Sequence, residues 1–93
     1  MRYTTPMSKT DKVFDHIMSG QADNAISFDE LCNLLRRLGF AERVSGSHHV
    51  FKKLDVPAIV LQADAAHAKG YQIRQVRQIF RQYNIKLKAG GAE

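Results

Sequence analysis

The chain has 93 residues, enough for one domain with a modest core, which favours a shallow site on an open surface over a deep pocket. Its hydrophobic fraction of 44% and charged fraction of 25% are those of an ordinary soluble globular domain. The 14 Lys+Arg exceed the 9 Asp+Glu, a formal net charge of +5 that fits a polyanion binder; the plain alternative is a merely basic soluble protein.

Residues 1–25 are expected to hold an N-terminal helix and a connector. Ser8 to Met18 is predicted helical: Ser8 and Asp11 make a capping box with an acidic partner, Val13, Phe14, Ile17 and Met18 form an apolar stripe, and Gly20 ends it. Residues 26–88 are expected to form the main domain. Ser27 to Leu38 is the clearest helix, with Ser27 and Glu30 in an S-x-x-E box, Ile26 stapling onto Leu31, and Leu31, Leu34, Leu35 and Leu38 at core spacing. Gly39 supplies its stop, and Arg36 and Arg37 fall off the stripe, where solvation is expected.

Phe40 to Val44 and Ser47 to Lys53 are predicted as a hairpin around a Ser45-Gly46 turn. Leu54 to Pro57 holds a second turn, Ala58 to Leu61 is a short third strand, and 62–70 is a loop. Gln72 to Tyr83 is the last helix, with Ile73, Val76, Ile79, Phe80 and Tyr83 on one face and Arg74, Arg77 and Arg81 beside it. The pattern is α+β: an αβββα core with a three-stranded antiparallel sheet, two helices on one face of it, and an extra helix in front. Met1 to Met7 and the tail 89–93 are expected to be loose.

Cys32 is the only cysteine, so no internal disulfide forms, and a reduced, cytoplasmic setting is expected. No apolar run is long enough to span a membrane, and no signal-peptide-like apolar region opens the chain. Carboxylates are scattered, no Gly-rich phosphate loop is present, and neither Cys32 nor the four histidines stand at metal-ligand spacing, so no metal or cofactor is implied. Acid–base work by histidine remains.

His16 lies between apolar helix positions and reads as surface or packing. His48 and His49 follow the hairpin turn and point to opposite faces of their strand. His49 shares parity with Phe51, which should face the helices, so His49 points inward and His48 points out onto the open sheet face. Lys69, Arg74, Arg77, Arg81, Lys86 and Lys88 then follow in a segment without Asp or Glu, which should attract a phosphate backbone; the alternative is a plain solvated face.

Gly46-Ser47-His48-His49-Val50-Phe51 resembles the G-S-H-x-x-F/Y hairpin signature of HicA toxins, the RNA-cleaving half of a bacterial toxin–antitoxin pair. Phe28 to Phe40 is similar to that family's first helix and its Gly-aromatic exit, and Lys69-Gly70 with Ile73 to Phe80 to its K-G-x-x-x-R-x-I-L helix. The likeness covers about residues 26–85. It implies a double-stranded-RNA-binding-domain-like fold, metal-independent cleavage of mRNA, and inhibition by a HicB-type antitoxin. It places the catalytic histidine at His48, the residue parity also selects. Gly46 and Ser47 of the turn, Lys52 beside the site, and Lys69, Arg74, Arg77 and Arg81 of the basic segment are the RNA-binding candidates. Two features depart from the family. The usual P-x-H near the end of the third strand is replaced by Leu61-Gln62-Ala63-Asp64, with His67 a few residues beyond and no role assigned to it. The first helix also precedes the usual start, where it would pack on the core or contact the antitoxin.

Two other classes share these features. One is a non-catalytic RNA-binding module or inactive toxin homologue of the same fold. The other is a protein-interaction domain whose basic face binds an acidic partner. RNA cleavage separates the enzyme from both, and RNA binding without cleavage selects the module.

Overall fold

The computed structural model of the chain describes residues 8–63 and 66–87. The expected loose ends, Met1 to Met7 and 89–93, lie outside the described residues, as do Asp64 and Lys88. The element order is α1 (Lys9–Ser19), α2 (Phe28–Arg37), β1 (Ala41–Ser45), β2 (His48–Lys53), β3 (Val56–Gln62) and α3 (Gly70–Gln82). The strands form one antiparallel sheet in the order β1-β2-β3.

Helix ends follow local chemistry. Ser8 and Asp11 close a reciprocal capping box on α1, both hydrogen bonds being 3.1 Å, and Gly20 ends the helix at φ 74°. The Ser27 hydroxyl accepts the Glu30 N–H at 3.0 Å to cap α2. At the other end of α2, Gly39 takes φ 94°, its N–H reaching the Arg36 carbonyl while the Phe40 N–H reaches that of Leu35. These are the paired bonds of a Schellman motif.

Several boundaries differ from expectation by one residue, among them the hairpin turn, which is Gly46-Ser47 rather than Ser45-Gly46, and two differ by two residues. β3 starts at Val56 and runs through Pro57, which the turn signal had assigned to the preceding loop. The register between Phe51 and Lys53 is irregular, pairing Phe51 with Ile59 but Lys53 with Val56. Pro57 therefore sits at an irregularity on an edge strand, where its missing N–H costs no ladder bond. α3 begins at Gly70 rather than Gln72, with the Gln72 side chain accepting the Lys69 N–H at 3.2 Å. A Cβ at Gly70 would come within 2.6 Å of Asn24 Oδ1, the end of an exposed side chain that can turn aside, so space alone does not demand glycine there.

The core is one cluster. Leu31, Leu34 and Leu35 of α2, Ile73, Val76 and Phe80 of α3, and Phe51, Ile59 and Leu61 of the sheet are buried together. α1 joins the same cluster through Val13 and Ile17, and Phe14 stacks on Phe80 with ring centroids 5.6 Å apart. The leading helix is thus part of the core packing. The helices cover one face of the sheet and leave the other open, as the antiparallel pattern anticipates.

A partly buried clasp fixes α1 against α3. Arg77 donates to the Ile17 carbonyl at 3.0 Å and to both carboxylate oxygens of Asp23 at 2.8 and 3.2 Å, and each side chain is 15% exposed. The hydrogen bond from Arg77 holds the Asp23 carboxyl below its ordinary value, with the charges of Arg77 and Arg74 adding to the effect. Because the folded value is the lower one, this contribution is present above pH of about 4 and is lost as the pH falls through the folded value. Arg77→Ala should cost about 1 kcal/mol or somewhat more at neutral pH, since it removes three hydrogen bonds from partly buried groups that water reaches only in part. The gap between parent and variant should narrow in acid, to what the Ile17 hydrogen bond alone supplies; urea melts across pH check this, and a gap of unchanged size across pH removes the assignment to Asp23.

Candidate functional site

The β1–β2 turn sets the site. Ser45 and His48 pair across it, leaving Gly46 and Ser47 as a two-residue loop. Gly46 has φ 59° and Ser47 is not in the positive-φ region. Positive φ at the first central residue only is the II′ arrangement, whose twist matches that of the strands and which favours Gly at that position. His48 is therefore the first residue of β2, presented at the rim of the sheet beside an exposed turn.

Cross-strand partners share a face, so the register defines the open surface. Ser45, His48 and Gln62 form one row, Arg43, Val50 and Val60 the next, and Ala41 lies beside Lys52. All of these are exposed except Val50, which is half-buried. The rows bring together one histidine and two cations, Arg43 and Lys52, with no carboxylate. Arg43 was not singled out from the sequence, although it shares parity along β1 with Ser45, which pairs with His48 across the hairpin.

The opposite parity belongs to His49. Its Nδ1 lies 2.8 Å from Glu42 Oε2, its ring meets Phe28 edge-on at 5.1 Å, and its side chain is 19% exposed. Glu42 also accepts Arg36 Nε on Oε1 at 2.8 Å, and Arg36 continues to Asn33 Oδ1 at 2.6 Å. Arg36 was expected to be simply solvated; it is instead half-exposed and held by Glu42. The hydrogen bonds from Arg36 and then His49 hold the Glu42 carboxyl below its ordinary value. Beneath this group lies the buried thiol of Cys32, which burial pushes up to about 11. The spacing of residues 32, 42 and 49 showed no ligand cluster, yet the fold brings one thiol sulfur, one carboxylate oxygen and one imidazole nitrogen within 4.8 Å of one another.

The remaining candidates are dispersed. His16 is exposed on α1. His67 is exposed, forms an isolated bridge with Ser27, and lines a depression with Phe28, Asp29 and His49 on the helix side of the sheet. Lys69 stands at the N-cap of α3. Arg74 and Arg81 are exposed on α3, Arg81 touching the Met18 carbonyl at 3.4 Å, and they flank a shallow groove with Gln78 and Gln82. Arg77 turns inward to Asp23, as described, so the three arginines do not form one solvent-facing stripe. α3 packs on the covered side of the sheet, so its cations and the His48 face are separate surfaces. No helix among the described residues is long and apolar enough to cross a membrane.

No protein-family model, curated protein or solved structure matches the chain.

Proposed function

We propose that the chain is a toxin endoribonuclease with a double-stranded-RNA-binding-domain-like core, cutting mRNA by metal-independent acid–base chemistry at His48. The observation that carries this reading is the open sheet face, where an exposed histidine beside a tight II′ turn shares the surface with Arg43 and Lys52 and, among the described residues, with no carboxylate. The G-S-H-x-x-F pattern, similar to that of HicA toxins, supplies the chemistry. His48 acts as base on a ribose 2′-OH or as acid on the leaving 5′-oxygen, while Arg43 and Lys52 hold the phosphate. Cleavage needs the 2′-OH, so RNA is cut and DNA of the same sequence is not.

RNA binding should be electrostatic. Affinity should fall with salt at a log–log slope of about −0.7 per phosphate contact on single strands. Arg43→Ala with Lys52→Ala should flatten that slope by about 1.4 units, the value for two lost contacts. Titrations of labelled RNA at several salt concentrations measure it, and a slope unchanged in the double variant moves the RNA to the α3 surface. One feature favours a second reading, a non-catalytic RNA-binding module: among the described residues the open face carries a single histidine and no second acid–base group beside it. Binding without strand scission would select that reading.

A HicB-type antitoxin is the proposed partner. A shallow site cannot protect itself, and the open face presents Val60, 49% exposed, beside His48. A stable complex should bury about 1,200–2,000 Å² and silence cleavage. Co-purification with the product of a neighbouring reading frame, followed by a cleavage assay, tests this; full activity in the complex would refute occlusion.

A further inference from the structure

We propose that Cys32, Glu42 and His49 form a binding site for a thiophilic divalent cation, Zn2+ foremost, between α2 and the β1–β2 hairpin. The site is independent of the ribonuclease reading and lies on the other face of the sheet from His48. Three elements supply it: Cys32 from the middle of α2, Glu42 from β1, and His49 from β2. Glu42 and His49 are diagonal neighbours on the covered face, since Glu42 pairs with Phe51 and His49 with Val44.

The donors suit zinc. One sulfur, one nitrogen and one oxygen match the borderline-soft ion, whereas Mg2+ and Ca2+ require sets of oxygens. With Zn–S near 2.3 Å and Zn–N or Zn–O near 2.0–2.1 Å, tetrahedral donors stand roughly 3.3–3.7 Å apart. The three atoms already lie within 4.8 Å, and His49 and Glu42 are 2.8 Å apart. The ion therefore needs the thiol to close in slightly and the imidazole–carboxylate hydrogen bond to open by less than an ångström.

The surroundings orient the ligands. Arg36 holds Oε1 of Glu42 at 2.8 Å and leaves Oε2 directed at His49, the outer-shell arrangement that steers a ligating carboxylate. Phe28 sets the plane of the His49 ring. On binding, the Cys32 thiol releases its proton to solvent, and His49 coordinates through Nδ1 as the neutral tautomer with its proton on Nε2. Thiolate and carboxylate then offset both charges of the ion, so a neutral cluster is buried. The depression lined by Ser27, Phe28, Asp29 and His67 reaches His49 from the helix side, and a water would complete the coordination as fourth ligand. The bound ion would cross-link α2 to the hairpin whose other face carries His48.

Cobalt is the probe. The full chain, freshly reduced and free of chelator, is titrated with Co2+ and then with Zn2+. The expected result is one equivalent of Co2+ giving the visible bands of four-coordinate metal and a thiolate-to-cobalt charge-transfer band, both abolished by Zn2+. Cys32→Ala should remove the charge-transfer band, His49→Gln should weaken binding by at least 100-fold, and Arg36→Ala should weaken it by about 10–100-fold as an outer-shell change. His16→Ala and His67→Ala should leave the charge-transfer band in place. Because Cys32 is buried, its variant is accompanied by a melt of the parent protein: Zn2+ at 100-fold above its Kd should raise the melting temperature by about 10–20 °C. Six-coordinate spectra without a charge-transfer band, or equally tight binding by Cys32→Ala or His49→Gln, would overturn the site. Loss of RNA cleavage bears on His48 and leaves this result unaffected.

Discussion

His48→Ala is expected to lower the rate of RNA cleavage by about 10²–10⁴-fold, the contribution of one positioned acid–base group, and to abolish growth arrest when the chain is expressed. The fold should survive. His48 is exposed, its row on the open face holds Ser45 and Gln62, and no core contact depends on it. Surface changes of this kind stay within about 0.5 kcal/mol. His49→Ala should behave in the opposite way. It removes the 2.8 Å contact with Glu42 and the edge contact with Phe28, and leaves a partly buried carboxylate with one fewer donor. A cost of about 1–3 kcal/mol follows, with activity per folded molecule retained. Thermal melts and single-turnover cleavage on both variants separate the two outcomes. A His48→Ala protein that cuts at the parent rate would end the catalytic assignment; a stable but inactive His49→Ala protein would transfer it to the Glu42–His49 pair.

What could be read in advance was local, or periodic over a few residues. Ser8 with Asp11, Ser27 with Glu30, and the stops at Gly20 and Gly39 are decided within one helical turn, and each is found where its own chemistry puts it. Strand parity is also short-ranged, which is why the opposed faces of His48 and His49 follow from Phe51 alone. Pro57 misled because a proline near a turn signal also fits an irregular edge strand, and only the pairing of Lys53 with Val56 decides between them. Arg77 belongs to a basic stripe by spacing, but Asp23, 54 residues earlier, claims its guanidinium. Cys32, Glu42 and His49 meet only because α2 lies across the hairpin, and no interval between positions encodes that crossing.

Phe51→Ala should have the largest effect on stability. Phe51 is 0% exposed and sits in the middle strand, paired with Glu42 on one side and Ile59 on the other. It is the sheet's main contribution to the cluster that holds Leu31, Leu34, Ile73 and Phe80. Removing a buried phenyl ring costs its transfer free energy and leaves a cavity, together about 3–5 kcal/mol. A domain of this size has about 5–15 kcal/mol in total, so the variant should be marginal at 37 °C yet folded when cold. The loss is distinct in kind from that of His48→Ala. Cleavage by Phe51→Ala should track the folded fraction and recover toward the parent rate per folded molecule on cooling, because the ring packs on the covered face and His48 stands on the other. Parallel circular dichroism melts and cleavage rates from 10 to 37 °C, values chosen as roughly bracketing the loss expected for a core truncation, provide the test. A Phe51→Ala protein that melts within a degree or so of the parent would mean that Phe51 does not anchor β2, and the facing of both histidines would lose its basis.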